Sequence, residues 1–347
     1  MKLDAQNGAL LANLQATLAG LDRTQTPGVW LDELIGRGLD GLPMPGRGAT
    51  LQRWQALGLV AGHDLSLAKL YEGHTDALAV MAEVAPSAPP AKGATWGMWA
   101  AEAAHGRALV DTSEAGGVRL NGAKRWCSGA GQVSHGLLTA WWPDGRGPQL
   151  VRVAMDQPGV SVCAAGWHAV GMAASASVDV AFRDARVELV GAEGAYLNRP
   201  GFWQGGAGIA ACWHGGAQAL AAALHRTLVQ VPPGHRNAFR LAALGKVDVA
   251  LQATAALLRE AARWIDEHPT EDASAAGLRV RLAVEICAKQ VLDEVGQALG
   301  AAPFCRDAPF AQMAADLPVY LRQSHGERDF AALGERLMSP GEASWEL

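Results

Sequence analysis

Charged side chains are scarce in this sequence. Asp, Glu, Lys and Arg make up 18% of its 347 residues, compared with about 25% in typical soluble domains. Hydrophobic residues make up 50%, which is ample for a core. A thinly charged surface is typical of a chain that another subunit partly covers, and equally of a genome that favours Ala and Gly. The sequence alone leaves both interpretations open.

An excess of positive charge is also lacking. The chain has 29 Lys and Arg against 34 Asp and Glu, so its formal net charge is −5. Nucleic-acid binding depends on a basic face that neutralises phosphates. The sequence therefore predicts no nucleic-acid partner.

Cysteines are few, and no two of them form a C-x-x-C pair. Their number is odd and the chain is long, which argues against a disulfide framework. Their spacing does not match a structural zinc site, so we expect no metal. The five cysteines are Cys127, Cys163, Cys212, Cys287 and Cys305.

Long apolar runs are missing as well. No run reaches the ~18 residues of a membrane span, and the longest candidate, 205–224, contains His214 and Gln218. The N-terminus is amphipathic and lacks the basic region, apolar core and cleavage site of a signal peptide. We therefore expect a cytoplasmic protein that has no membrane partner.

What the sequence does contain is three zones of different texture. Residues 1–93 have apolar residues at helical spacing and end in a Pro-rich boundary. Residues 94–195 contain short alternating runs between turn residues, which predict a small antiparallel barrel or sandwich. Residues 196–338 are Ala- and Leu-rich and predict an antiparallel bundle. The predicted fold class is α+β and multidomain: an N-terminal helical domain, a middle antiparallel β-barrel, a C-terminal four-helix bundle and a tail over 339–347.

The predicted elements of the second and third zones are specific. The Asn121-Gly122 pair, taken alone, predicts a two-residue hairpin turn. The predicted strands are 108–112, 118–124, 137–142, 150–155, 160–163 and 178–182, and the predicted bundle helices are 203–230, 236–267, 272–299 and 308–337.

Two stretches carry a resemblance to a known family. Residues 120–130 read LNGAKRWCSGA, and residues 170–184 read VGMAASASVDVAFRD. Both resemble the middle domain of the acyl-CoA dehydrogenase superfamily, in the expected order and spacing. Weaker similarities at 236–239 and 297–304 extend the resemblance to roughly residues 50–325. It implies an FAD-dependent flavoprotein that is built from helical, β-barrel and four-helix domains and assembles as a homodimer or homotetramer.

The resemblance implies that three segments of the chain contact the flavin. Trp126 would form an aromatic wall for the ring, and Ser128 would bond its polar edge. Alternation along a strand would place both on one face. Met98, Ala100 and Ala101 match a strand whose backbone amides meet the flavin. The hydroxyl usual in the family at position 101 is absent, and His105-Gly106 stands where a phosphate-contacting turn is expected.

Three further residues match positions that contact the flavin across a subunit interface. Arg236 would reach the pyrophosphate, for which a planar guanidinium is suited. Gln297 and Gly300 would line the adenine end, although Gly300 could equally be an ordinary helix cap.

The usual catalytic base is missing from the sequence. Family members carry a late Glu that removes the α-proton of an acyl thioester, and here Ser324 occupies its position. The neighbouring His325 is a weak candidate to replace it. Pairing of His325 with Glu327 or Asp329 at a helix end is the alternative.

These observations leave several functions open. The one that the resemblance favours is FAD-dependent oxidation of the CH–CH group of an acyl thioester or other small molecule, with an electron-transfer partner. The second is a flavin-dependent monooxygenase-like reaction, which does not need the missing base. The third is a catalytically degenerate paralogue, or one subunit of a hetero-oligomer whose other chain supplies the base.

Overall fold

The computed structural model describes residues 2–102, 107–112, 117–338 and 345, with the side chains of 2–7 excepted. Along the chain, helices precede and follow the strands, so the α+β class is confirmed. Helices over the described residues are α1 (Lys2–Gly20), α2 (Pro27–Gly36), α3 (Thr50–His63), α4 (Leu65–Val84), α5 (Ala195–Asn198), α6 (Gly201–Gly206), α7 (Gly208–Val229), α8 (Ala238–Glu267), α9 (Ser274–Leu299), α10 (Ala301–Arg306), α11 (Ala308–Tyr320) and α12 (Glu327–Leu337).

The strands form one sheet, in the order β1-β4-β5-β7-β3-β2, with β6 added beside β7. The six strands predicted from alternation are confirmed in place, and β1 joins them. The strands are β1 (Trp96–Trp99), β2 (Leu109–Asp111), β3 (Val118–Cys127), β4 (His135–Ala140), β5 (Gln149–Ala154), β6 (Val160–Cys163) and β7 (Val178–Val190).

The prediction of a purely antiparallel sheet is wrong, because β1 pairs with β4 in parallel. Alternation reports that a segment is extended but says nothing of the direction of its partner. An isolated bridge between Leu109 and Trp141 connects the β2 edge back to the end of β4. The sheet is therefore curved, so that β2 at one edge approaches the end of β4 near the other edge.

The Asn121-Gly122 hairpin prediction is also wrong, since both residues lie inside β3. The register of β3 against β7 shifts between Leu120 and Gly122, which marks a bulge. Gly122 has φ +104°, and a Cβ there would lie 2.2 Å from the Arg107 carbonyl oxygen. Asn121 Oδ1 accepts a hydrogen bond from Asp184 N at 2.8 Å. The pair therefore bends a strand instead of reversing the chain.

The last predicted bundle helix, 308–337, is not continuous. It divides into α11, a short 3₁₀ turn at Leu321–Gln323, and α12. Pro318 lies near the end of α11, and Gly326 precedes α12 with φ +55°. A proline ring and a left-handed residue both interrupt a helix.

By internal contacts the chain separates into two compact units. The first comprises 1–42, 66–169 and 173–202, and the second 43–65, 170–172 and 203–347. The sheet and α4 belong to the first unit, whose core includes Ala77, Met81, Trp96, Leu137 and Val190. The domain limits at 93 and 195 fall between elements and stay a prediction. The predicted tail lies outside the described residues, apart from Trp345.

Among the described residues, one helix could cross a membrane by its length and composition alone, namely α8. In the second unit this helix packs against α7 and α9. A single such helix is a weak indication, because a long Ala- and Leu-rich bundle helix has the same composition.

Candidate functional site

The first part of the site is the edge of β1 that faces away from β4, where Trp96 N donates to His74 Nδ1 at 3.2 Å. His135 N donates to the Thr95 carbonyl at 2.9 Å, so the polar groups of Thr95 face β4. Successive residues of a strand point alternately, so the N–H of Met98 faces away from β4. Pairing with β4 ends at Trp99. The predicted amides of Ala100 and Ala101 therefore lie beyond the ladder.

The second part is Trp126, which lies at an irregularity of β3. Its φ is +60°, in the left-handed region, and the register against β7 shifts between Lys124 and Cys127. Its side chain is 60% exposed. Strain of this kind costs about 1–3 kcal/mol and is concentrated at functional sites. Ser128 lies beyond the end of β3, so strand alternation does not extend to it, and the shared face of Trp126 and Ser128 stays a prediction.

The third part is a short chain of hydroxyl groups. Ser128 Oγ lies 2.7 Å from Ser177 Oγ, which lies 3.1 Å from Ser175 Oγ. Gly129 N donates to the Ser175 carbonyl at 2.7 Å. Trp99 Nε1 donates to the Ser128 carbonyl at 3.0 Å. The two stretches that carry the family resemblance thus meet here. Sequence reasoning gave Ser175 and Ser177 no role, although both lie in the second stretch.

The end of β1 is anchored by a buried lysine that the sequence analysis did not single out. Lys124 is 4% exposed, and its Nζ donates to Glu102 Oε1 at 2.9 Å and to Thr139 Oγ1 at 2.6 Å. Trp141 Nε1 donates to Glu102 Oε2 at 3.1 Å. Glu102 directly follows Ala101, so this cluster fixes where the candidate amides lie.

Hydrogen bonds between Lys124 and Glu102 stabilise the charged forms of both side chains. Burial lowers the pKa of Lys124, and its hydrogen bond to Glu102 opposes that change. Burial alone would raise the pKa of Glu102, but the hydrogen bonds from Thr139 and Lys124 outweigh it, so that pKa is lowered. Burial raises the pKa of the neighbouring Cys127 thiol. That cysteine therefore stays protonated and is a poor nucleophile.

The residues matched to the phosphate and adenine end have local partners in the second unit. Arg236 Nε donates to the carbonyls of Leu228 and Val231, at 3.1 and 3.0 Å, and so caps α7. Gln297 is exposed and donates to Asp293 Oδ2 at 2.8 Å. Gly300 ends α9 with φ +68° and ψ −164°, a conformation that only glycine adopts readily. Their roles toward a flavin stay predictions.

The candidate base His325 lies at the start of α12. Its ring Nδ1 is 3.2 Å from Asp329 Oδ1, and its backbone N–H donates to Asp329 Oδ2 at 3.1 Å. This is the helix-end pairing that the sequence left as the alternative. A carboxylate at Nδ1 favours the tautomer that leaves Nε2 free. A catalytic role of His325 stays a prediction.

The residues of the first unit suit a flat ring with polar edges. Trp126 offers an exposed aromatic face, the serines offer hydroxyl groups, and the N–H of Met98 lies on the edge of β1 that faces away from β4. The His105-Gly106 segment lies outside the described residues. Across the described part of the chain, no group of Asp, Glu, His or Cys side chains is arranged to hold a metal ion, and the five cysteines are free thiols.

No protein-family model and no curated protein matches this sequence. Solved structures do match the fold over nearly its whole length. Butyryl-CoA dehydrogenase from Megasphaera elsdenii has a TM-score of 0.81 at 17% identity, covering 96% of this chain and 98% of its own. The dibenzothiophene monooxygenase TdsC from Paenibacillus sp. A11-2 has a TM-score of 0.76 at 19% identity, covering 97% and 98%.

A third similar structure is KijD3, solved in complex with FMN and dTDP-3-amino-2,3,6-trideoxy-4-keto-3-methyl-D-glucose. Its TM-score is 0.77 at 20% identity, covering 98% of this chain and 93% of its own. This chain therefore has the fold of acyl-CoA dehydrogenases and of flavin-dependent monooxygenases. The overall fold that the sequence resemblance implied is therefore confirmed.

Proposed function

We propose that this protein is a flavin-dependent oxidoreductase that holds the flavin ring against Trp126. The observation that carries the proposal is the exposed side chain of Trp126 on a left-handed backbone, two residues before Ser128, whose hydroxyl bonds that of Ser177. The cost of the left-handed backbone is offset if the indole has a binding role. The shared fold supports the proposal, because TdsC and KijD3 were both solved with FMN.

We further propose that FMN binds at least as tightly as FAD. FAD is the cofactor that the sequence resemblance implies. However, Arg236 Nε already donates hydrogen bonds to the carbonyls at the end of α7. Gln297 already donates a hydrogen bond to Asp293. Both would have to give up or share these contacts to hold the adenosine diphosphate part of FAD. Competition between the two flavins for the purified protein tests this proposal.

Among flavin reactions, the proposal favours an oxygen-using, monooxygenase-like one. A bound flavin supplies hydride acceptance or, when reduced, oxygen activation. Ser324 occupies the position of the family's catalytic Glu, and 208–216 at the start of α7 contains no carboxylate. The chain thus lacks the usual group for removing an α-proton. Its own residues orient the ring through Trp126 and the β1 amides and shield one ring face from water.

Oxidation of an acyl thioester is the second candidate function. The observation that favours it is the TM-score of 0.81 to butyryl-CoA dehydrogenase. The two reactions differ in their electron acceptor. Oxygen consumption that requires a reduced-flavin supply would favour the first, whereas anaerobic bleaching by acyl-CoA would favour the second.

The test begins with flavin binding, followed by absorbance and by quenching of protein fluorescence. Trp126→Ala is expected to weaken FMN binding about tenfold, the equivalent of about 1.4 kcal/mol of lost aromatic stacking. Trp345→Ala is the control, because Trp345 is 86% exposed and lies in the tail. Absence of FMN and FAD binding by the wild-type protein would contradict the proposal and favour a degenerate paralogue or partner subunit.

We also propose that the protein is a homodimer or homotetramer. The supporting observation is apolar exposure on the bundle helices. Phe239 and Val249 of α8 are 85% and 70% exposed, and Ile286 of α9 is 54% exposed. Light scattering of the wild type and of a Val249→Glu variant tests whether these side chains are covered in an assembly. A monomeric wild-type protein would contradict the proposal.

A further inference from the structure

A groove of about 670 Å³ opens on one face of the sheet, within the size range of small-molecule sites. It is lined by the beginnings of β1, β3 and β4, including Trp96, Arg119 and His135. Of the candidate flavin residues, Trp126 and Ser128 lie at the opposite end of β3, and Ala100 and Ala101 lie beyond the far end of β1. The ten residues of β3 span roughly 30 Å. The groove is therefore separate from the candidate flavin site.

The sheet face that forms the groove changes from apolar to cationic along its strands. Alternation places Val190, Glu188 and Arg186 of β7 on one face. Val190 belongs to the core beside α4, whereas Glu188 and Arg186 line the groove. On β5, Leu150 is likewise in the core and Arg152 in the groove. The cationic part thus begins where the apolar core ends.

Two arginines of the groove lie directly opposite each other. Arg119 of β3 and Arg186 of β7 are register partners in the antiparallel pair. Side chains at such positions lie about 5 Å apart at Cβ, and like charges there destabilise the pairing. Arg119 Nε is 3.8 Å from Asp184 Oδ1, a carboxylate that is itself 72% exposed. Within the described residues, no ion pair engages Arg186.

The other charges of the groove do not neutralise this arginine pair. Glu188 is already engaged by Arg152, whose Nε lies 3.0 Å from Glu188 Oε2. Arg152 Nη1 also donates to the Ala88 carbonyl at 3.1 Å. The lining therefore carries three guanidinium groups and one carboxylate. Because Arg119 is paired with the exposed Asp184 carboxylate, Arg186 carries the charge that has no counter-ion among the described residues.

The groove is also rigidly built. Gln157 Oε1 accepts from Arg186 N at 2.9 Å, and Gln157 Nε2 donates to the Arg186 carbonyl at 3.0 Å. Trp96 stacks on His135 with 4.7 Å between the ring centroids. Burial and the nearby charge of Arg152 lower the pKa of His135. Its imidazole is therefore a flat, neutral wall at pH 7.

We propose that this groove binds a phosphorylated small molecule, with the phosphate between Arg119 and Arg186. Two opposed guanidinium groups match the charge and the oxygen geometry of a phosphate dianion. Binding also removes the repulsion between the two arginines. The flat part of the ligand lies along His135. This inference does not rest on the proposed flavin function.

The test is calorimetric titration of the full-length protein with inorganic pyrophosphate, AMP and citrate at equal ionic strength, with and without FMN. Pyrophosphate and AMP are expected to bind more tightly than citrate and to give the same isotherms with FMN present. Arg119→Gln/Arg186→Gln should weaken both at least about tenfold, because two charge-assisted contacts are lost. Arg146→Gln is the matched control, since Arg146 pairs with Asp144 and Glu193 in an exposed turn.

A second readout separates ligand binding from folding. Arg186→Gln removes the like-charge repulsion, so the free variant should melt at the same temperature as the wild type or higher. Pyrophosphate should raise the melting temperature of the wild type and not that of the variant. Failure of pyrophosphate and AMP to bind the wild type would overturn the proposal, as would tighter binding of citrate. Undiminished binding by the double variant would also overturn it, whatever the flavin titrations give.

Discussion

The ammonium group of Lys124 lies 2.9 Å from the carboxylate of Glu102, and this pair connects the middle of β3 to the end of β1. Lys124 is two residues before Trp126, and Glu102 is one residue after Ala101. The pair thus joins the two segments that carry the candidate flavin contacts. A substitution at either residue should affect the fold and the site together.

The first prediction concerns Glu102→Gln, which leaves the buried Lys124 ammonium without its counter-charge. We expect a loss of about 2 kcal/mol in the free energy of unfolding, since hydrogen bonds to charged groups contribute about 1.5–3 kcal/mol. Glu102 is 38% exposed, so solvent limits the loss. Urea unfolding measures it. Glu33→Gln is the control, because its carboxylate is also 38% exposed but its partner Arg37 is 59% exposed, and such a pair is worth less than about 1 kcal/mol. Equal losses for the two variants would contradict the prediction.

The second prediction separates backbone strain from ring contact at Trp126. Trp126→Gly should be more stable than Trp126→Ala by about 1 kcal/mol, because only glycine adopts φ +60° without steric cost. Both variants should lose the same flavin affinity, since both lack the indole. Thermal unfolding and FMN titration of the two variants provide the measurements. A glycine variant that is the less stable of the two would show that the residue is not strained.

The third prediction is a loss of stability in acid caused by His214 in the second unit. Burial, with Arg259 nearby, lowers the pKa of His214 to about 4, and its Nδ1 lies 3.2 Å from Thr254 Oγ1. As the pH falls, His214 of the unfolded chain binds a proton near pH 6.5, whereas His214 of the folded chain binds one only near pH 4. The free energy of unfolding should therefore fall by up to about 3 kcal/mol between pH 6.5 and 4.

His214→Gln should remove this dependence on pH. His225→Gln, an exposed position on the same helix, is the matched control and should retain it. Urea unfolding at several pH values measures the slopes. An unchanged slope in His214→Gln would contradict the assignment.

The fourth prediction has the opposite sign and concerns Asp316 of α11. Burial raises the pKa of Asp316 to about 6, although its carboxylate accepts bonds from Met172 N and from Gln312 Nε2. The folded chain then holds a proton that the unfolded chain releases near pH 3.8. Stability from this group is present below about pH 4 and is lost as the pH rises to 6.

Asp316→Asn keeps an acceptor oxygen and removes the charge. We expect this variant to be more stable than the wild type at pH 7, by about 1–3 kcal/mol, and to show no difference at pH 4. The same unfolding series provides the measurement. A variant that is less stable at pH 7 would indicate that the ionised carboxylate has a role that the amide cannot take.

Much of the fold could be predicted from local patterns. The six strands with alternation were located, and the LNGAKRWCSGA stretch identified β3 and the turn after it. β1 could not be found by alternation, because Trp96–Trp99 reads WGMW and is buried at three of its four positions. Its strand nature came only from the resemblance. Its parallel pairing with β4 depends on the distant segment at 135–138, which no local pattern specifies.

The candidate site shows the same division. Trp126 and Ser128 were identified from the sequence, because their residue types and spacing match a family motif. The partners Ser177, Glu102 and Thr139 were not, because each reaches the site from another part of the sheet. Glu102 in particular lies beyond the end of β1. Its contact with Lys124 exists only because β1 and β3 are brought together.

The sequence by itself determined the class of secondary structure along the chain and the scarcity of charge, and it identified candidate residues for a flavin site. These depend on side-chain type and on spacing within about ten residues. The tertiary structure alone decided the direction of β1, the left-handed turn at Trp126 and the opposition of Arg119 to Arg186. The physical reason is that strand register and buried charge pairs depend on contacts between segments far apart in the chain.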